Sequence, residues 1–138
     1  MRRIALLLFL FLAATAPSTV RAQGVAEEEM RDMLSQLSGE GWSVFDIKRG
    51  LLEPGSARVF GHEIPAGTRE ILVFAVCDGD CNTIYLEVAS EAGRIGQNTQ
   101  SDRPVLTIRG LTGLLGVRIT MAQCTAATCA YRAVVLTK

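Results

Sequence analysis

The sequence predicts a mainly β domain, either an antiparallel sandwich or a barrel, with one short amphipathic helix in front of it. From Trp42 onward, apolar residues recur at every second position, as in strands with one buried and one solvated face. Turn sequences such as Glu53-Pro54-Gly55 and Pro65-Ala66-Gly67 interrupt the chain at short intervals. Many short strands separated by such turns are typical of all-β domains.

The helix is predicted over residues 25–37, because apolar side chains there lie three or four positions apart and share one face. That face contains Met30, Met33, Leu34 and Leu37. The glutamates at positions 27–29 fall in the first predicted turn, where the helix dipole favours negative charge. Ser38-Gly39 and Gly41 are expected to end the helix. We expect its methionine-rich face to pack against the rest of the domain.

Seven strands are predicted, near residues 43–49, 57–63, 69–77, 82–89, 104–109, 115–124 and 129–137. Residues 71–76 are apolar throughout, so we expect this strand to lie inside a sheet or to end at a covered edge. Residues 94–103 are rich in Gly, Gln, Asn, Ser and Thr, and we expect them to form a mobile loop.

Residues 1–22 have the pattern of a Sec-type signal peptide. Met1-Arg2-Arg3 precedes an apolar run of 11 residues, and Val20-Arg21-Ala22 offers a cleavage site. A bilayer span takes roughly 20 apolar residues, so we expect cleavage after Ala22 and no stable membrane insertion afterwards. The cleaved chain would contain the helix and a linker at 23–41 and the sandwich at 42–138, in the periplasm or outside the cell.

The charge of the cleaved chain argues against nucleic-acid binding. The sequence has 14 basic and 14 acidic residues, and loss of Arg2, Arg3 and Arg21 leaves 11 basic ones. These are scattered along the chain, whereas a surface that follows a phosphate backbone needs clustered Lys and Arg. The signal peptide, the disulfide-stapled sheet and the absence of a catalytic motif together lead us to expect a protein or polysaccharide partner.

The four cysteines are expected to be oxidised in an exported chain, and four cysteines allow three pairings. The short spacings favour Cys77 with Cys81 and Cys124 with Cys129, the second as a staple across a β-hairpin. A thiol-redox centre is less favoured, because no C-x-x-C motif stands at a helix start. A four-cysteine zinc site is also less favoured, because thiols oxidise outside the cytoplasm.

An acidic loop and a single histidine are the remaining candidate functional features. Asp78, Asp80 and Asn82 alternate as in calcium loops, and a distant Asp102 could complete a set of oxygen ligands. Calcium is thus the one cofactor that the sequence suggests. His62 stands beside a Pro-Gly turn, and no serine nucleophile motif accompanies it. We expect His62 to be a surface or half-buried structural residue, and we expect no enzymatic activity.

The stretches ILVFAVCDGDCNTIYLEV and MAQCTAATCAY resemble the bacterial pre-peptidase C-terminal domain group, in the cysteine-bearing version found in small exported proteins. The resemblance covers residues 42–138. It implies a jelly-roll-like β-sandwich of about seven or eight strands with two local disulfides. Relatives of this type often accompany secreted hydrolases, and some bind calcium.

Two functions are consistent with these features. The first is an exported, non-catalytic β-sandwich that binds a protein or polysaccharide or has a structural role in the cell envelope. The second is a calcium-stabilised accessory module of a secreted hydrolase system.

Overall fold

The computed structural model describes residues 19–138, and side chains from residue 27 onward, as one helix followed by eight strands. Residues 1–18 of the predicted signal peptide lie outside the described part. The elements are α1 Thr19–Gly39, β1 Ser43–Leu52, β2 Ala57–Ile64, β3 Glu70–Cys77, β4 Cys81–Ser90, β5 Gly93–Ser101, β6 Val105–Arg109, β7 Gly113–Cys124 and β8 Cys129–Thr137. Within residues 19–138, no helix combines the length and apolar character that a membrane span requires.

The strands form two antiparallel four-stranded sheets, ordered β1-β8-β3-β6 and β2-β7-β4-β5. Most connections cross from one sheet to the other, and β4 and β5 are the only consecutive strands of the described chain that pair with each other. This strand order is that of an eight-stranded jelly roll, so the predicted fold class is confirmed. We call β1-β8-β3-β6 the covered sheet, because α1 packs on it, and β2-β7-β4-β5 the uncovered sheet.

Two apolar layers hold these elements together. The main core lies between the sheets and includes Val73, Ile84, Leu86, Val117 and Ile119, each at most 1% exposed. A second cluster lies between the covered sheet and the predicted apolar face of α1, and it contains Met30, Leu72, Phe74, Val76, Val134 and Leu136. The continuous apolar run of β3 is explained by this arrangement, because both faces of that strand are buried. The predicted packing role of the helix is confirmed.

The helix differs from the prediction at its start. The helix already includes Thr19, the first described residue, rather than beginning at residue 25, and it runs through the predicted cleavage position after Ala22. The glutamates at 27–29 therefore lie past the first turn, and two of them bind basic residues of the sandwich instead. Glu27 lies 3.1 Å from the buried guanidinium of Arg132, and Glu29 lies 2.7 Å from Arg103. The predicted end is confirmed, since the helix stops at Gly39 and Gly41 adopts a φ of 86°.

The prediction of a mobile loop over residues 94–103 was wrong, because most of this segment is strand β5. The strand is polar because it forms an edge of the uncovered sheet, where alternation of buried residues is not required and polar side chains discourage edge-to-edge aggregation. Two irregularities in the register between β5 and β4 further interrupt the alternation of inward and outward residues along β5. Gly96 points inward, where a Cβ would lie 3.6 Å from the Leu106 side chain.

Both disulfides form with the pairing that the spacing favoured, Cys77 with Cys81 and Cys124 with Cys129. The expected hairpin staple was wrong, because β7 and β8 belong to different sheets. The same holds for β3 and β4, so each disulfide joins the two sheets where the chain crosses between them. Cys81 and Cys124 are register partners in the uncovered sheet, which places both bridges at one end of the sandwich.

Candidate functional site

The outer face of the uncovered sheet carries a ridge and a trough that run side by side across its strands. The ridge consists of register partners on four neighbouring strands: Val59, Arg118, Glu87 and Gln97. The trough is the next row of partners, Gly61, Gly116 and Ala89, and Arg94 closes it at β5. Because side chains alternate along each strand, both rows point away from the core.

The trough is a shallow cavity of about 260 Å³ whose walls include Val59, Glu87, Arg94 and Arg118. The cavity exists because Gly116 has no side chain and Ala89 has only a methyl group, and Gly61 continues the trough at β2. A Cβ at Gly116 would lie 3.7 Å from the Ala89 carbonyl oxygen, and one at Gly61 would lie 3.7 Å from Leu114. Neither glycine has the positive φ that would require glycine. Both positions could therefore accept a Cβ without strain, and the glycines present there leave room for a ligand.

A charged network organises the ridge. One oxygen of Glu87 lies 3.2 Å from the Arg94 guanidinium, and the other lies 3.8 Å from Nε of Arg118. Arg94 also donates a 3.0 Å hydrogen bond to Gln97. The side chains of Arg94 and Arg118 remain 63% and 55% exposed, so they retain hydrogen-bonding capacity toward a ligand. Val59, at 69% exposure, and Leu114, at 48%, add apolar contact surface on either side of the trough.

His62 lies on β2 next to the trough residue Gly61, but its side chain points into the gap between β1 and β2. It is 6% exposed, so the expected surface or half-buried position was wrong. Its Nδ1 lies 3.3 Å from Asp46 on β1, and Lys48 binds the same carboxylate oxygen at 2.9 Å. Burial lowers the pKa of His62 despite the opposing charge of Asp46, and Lys48 lowers it further. Hydrogen bonding to Lys48 lowers the pKa of Asp46.

Asp78 is 3% exposed and acts as an anchor for the disulfide-bridged end. Its Oδ2 accepts a 2.6 Å hydrogen bond from the main-chain nitrogen of Ala130, and its Oδ1 accepts one of 3.2 Å from that of Asp80. The main-chain oxygen of Asp80 in turn accepts two hydrogen bonds from Thr125, at 2.8 and 3.1 Å. The loop after Cys77 and the loop after Cys124 are thereby joined.

The structure brings part of the predicted calcium set together. The main-chain oxygen of Asp102 lies 3.6 Å from Sγ of Cys77, so its loop contacts the Asp78 loop. The Asp102 carboxylate itself is 57% exposed and lies 3.9 Å from Arg103, while Asn82 is exposed at the start of β4. No group of three or more His, Cys, Asp or Glu side chains suited to a metal ion occurs among the described residues.

The ridge and trough were not anticipated from the sequence. The small residues of the trough stand at alternating, outward positions of their strands, and this spacing was the only signal available. Their proximity depends on the register among β2, β7 and β4, which are far apart along the chain.

No family model matches the chain. No curated protein matches it either. Solved structures with a similar arrangement include the Aeromonas hydrophila periplasmic inhibitor of g-type lysozyme, PliG, at 12% identity and a TM-score of 0.45, over 67% of this chain and 85% of that one.

Two carbohydrate-binding modules are also similar in structure. One is CBM36 in complex with calcium and xylotriose, at 12% identity and a TM-score of 0.39, over 72% of this chain and 95% of that one. The other is TmCBM61 in complex with β-1,4-galactotriose, at 12% identity and a TM-score of 0.39, over 70% and 87%. At these identities and scores, the similarities do not indicate what this chain binds.

Proposed function

We propose that this chain is an exported, non-catalytic binding domain that recognises a protein or polysaccharide partner of the cell envelope through the ridge and trough. One observation carries the proposal: helix α1 covers the outer face of one sheet, whereas the other sheet has an outer face with a trough that the described chain leaves open.

The composition of this face suits recognition. Arginine is enriched at protein interfaces, and its planar guanidinium donates several hydrogen bonds in fixed directions. Arg94 and Arg118 are already held by Glu87, so less side-chain entropy is lost when a partner binds. Val59 and Leu114 provide exposed apolar area beside these polar groups. The small floor residues allow a partner to approach the backbone closely.

Other features support export and the absence of catalysis. Two disulfides are typical of proteins from oxidising compartments. His62 is buried between two edge strands and engaged by Asp46, a position suited to structure rather than to contact with a substrate. The jelly roll with two local disulfides agrees with what membership of the pre-peptidase C-terminal domain group would imply, and we keep that membership as part of the proposal.

The test is a capture experiment with residues 23–138 immobilised. Proteins of the exported fraction and purified envelope polysaccharides are applied to this chain and to the variant Gly116→Leu, which fills the trough. The matched control is Gly79→Leu, because Gly79 lies in the exposed disulfide loop, has no atom near its Cβ position and has no positive φ.

We expect retention of a partner by the wild type and by Gly79→Leu, and its loss in Gly116→Leu. Equal retention by all three proteins would contradict the assignment of the face. Substrate turnover that His62→Ala abolishes would contradict the absence of catalysis.

A calcium-stabilised accessory module is the second candidate, because the Asp102 loop contacts the loop that holds Asp78 and Asp80. A ligand that binds only the folded state stabilises it by mass action. This function predicts that millimolar calcium raises the melting temperature and that EDTA lowers it. Identical melting curves in calcium and EDTA would dispose of it.

A further inference from the structure

From the alternation of large and small residues on the uncovered sheet, we infer that its outer face pairs with the same face of a second copy of the chain. The inference rests on the proposed function, because both place recognition on the ridge and trough. It adds the identity of one partner, which is the protein itself.

The ridge and trough lie one row apart and extend across the same strands, so the face is complementary to itself along β2, β7 and β4. A twofold axis parallel to the two rows and midway between them places the ridge of each copy over the trough of the other. Val59 then faces Gly61, Arg118 faces Gly116, and Glu87 faces Ala89. In each of these three pairs a large side chain meets a glycine or an alanine, whereas at β5 the same axis places Gln97 opposite Arg94.

The rows further out follow the same rule. Ala57 and Thr120 are register partners on one side of the ridge, and Glu63 and Leu114 are register partners beyond the trough. The same axis brings Leu114 opposite Thr120 and Glu63 opposite Ala57, again pairing a larger with a smaller side chain. The match therefore extends over four successive rows on β2 and β7, while Tyr85, the register partner of Thr120, lies opposite the end of β4.

The axis also brings opposite charges together where β4 meets β5. Glu87 of one copy comes to lie over Ala89 of the other, whose register partner is Arg94. Each interface thus gains two Glu87–Arg94 contacts between copies, related by the axis, in addition to the pair already formed within each chain. Arg118 lies over Gly116, and the same axis places the two Arg118 side chains side by side, two residues apart along β7, as it does the two Glu87 side chains along β4.

The available area indicates a weak dimer. With strands about 4.8 Å apart and a rise of about 3.4 Å per residue, a four-stranded face about eight residues long covers roughly 500 Å². Two copies would bury about 1,000 Å² in total, which is at the lower limit for specific interfaces. Such a dimer would exchange with monomer, so an external partner of the trough could compete with the second copy.

The experiment is sedimentation of residues 23–138 over a dilution series from about 1 mM to about 1 μM, the range in which weak complexes dissociate. The key variants exchange ridge and trough at β2. Gly61→Val should place valine against valine across the axis and weaken the dimer by at least about tenfold, and Val59→Gly should weaken it by removing the projecting group. The double variant Val59→Gly with Gly61→Val restores a valine against a glycine and should recover the wild-type association.

Circular dichroism checks that each variant is folded, and Gly116→Leu serves as a second blocking variant, with Gly79→Leu as its control. A wild type that remains monomeric at the highest concentration would overturn the inference. A dimer that Gly61→Val and Gly116→Leu leave intact, or one that the double variant fails to restore, would overturn it as well. The capture experiment remains separate: loss of a retained partner in Gly116→Leu would support the binding face even if two copies do not pair.

Discussion

Replacement of Asp78 by alanine should destabilise the domain more than any other single change in its acidic loop. The carboxylate accepts hydrogen bonds from the main chain of Ala130 and of Asp80, at 2.6 and 3.2 Å, and the first of these bonds is buried. Hydrogen bonds to a charged group contribute about 1.5 to 3 kcal/mol each, and a buried N–H left without a partner costs about 1 to 3 kcal/mol. The substitution also removes the free-energy cost of burying a charged carboxylate, and this gain offsets part of the lost stability.

We therefore expect Asp78→Ala to lower the free energy of unfolding by about 3 kcal/mol. For a domain of this size each kcal/mol corresponds to roughly 4 °C, so the melting temperature should fall by about 12 °C. Thermal unfolding is followed by circular dichroism in EDTA, with both disulfides intact, so that loss of calcium makes no contribution.

Asp80→Ala is the matched control for this measurement. Within the described part of the chain, Asp80 forms its hydrogen bonds through main-chain atoms, which the substitution keeps. We expect its free energy of unfolding to stay within about 0.5 kcal/mol of the wild type. Equal melting temperatures for Asp78→Ala and Asp80→Ala would refute the anchoring role of the Asp78 carboxylate.

Three further predictions concern stability. The pKa of His62 is lowered in the folded state, so as the pH falls the unfolded chain takes up this proton first; the free energy of unfolding should therefore decrease below about pH 6.5, by at most about 1.4 kcal/mol per pH unit. Urea unfolding of His62→Gln should lack this part of the pH dependence, and an unchanged pH dependence in the variant would contradict the prediction. Gly50→Ala should cost about 1 to 3 kcal/mol, because its Cβ would lie 3.0 Å from the Tyr131 ring, whereas Gly61→Ala, with 3.7 Å of clearance, should melt like the wild type. Removal of either disulfide by paired Cys→Ala changes should lower the free energy of unfolding by about 2 kcal/mol. Removal of both should change it by an amount that differs from the sum of the two single losses, because the bridged loops share hydrogen bonds; strictly additive losses would show that the two bridges act independently.

Local patterns in the sequence predicted the elements that bury one or both of their faces. The helical face from Met30 to Leu37 and the run in β3 were identified because apolar residues are required wherever a surface is buried. Strand β5 was missed for the converse reason. An edge strand on a solvated face can be polar throughout, and at Gly96 a Cβ would only reach ordinary contact distance, 3.6 Å, from the Leu106 side chain.

Long-range features could not be predicted, because register between distant strands is not visible in a single sequence. The spacing of Cys124 and Cys129 gave the correct bond, but a crossing between sheets and a hairpin can have the same spacing. The trough depends on Gly61 lying beside Gly116, 55 residues later in the chain, and on Gly116 lying beside Ala89. Asp78 looked like a turn residue or a calcium ligand, and only the approach of Ala130 gives it the anchoring role.

The most direct test of the binding face is an amide NMR titration of residues 23–138 with the partner retained in the capture experiment. We expect the largest chemical-shift changes at Gly61, Gly116 and their neighbours on β2, β7 and β4, with helix α1 and the covered sheet nearly unchanged. Changes concentrated on α1 or the covered sheet, with the trough amides unaffected, would contradict the account.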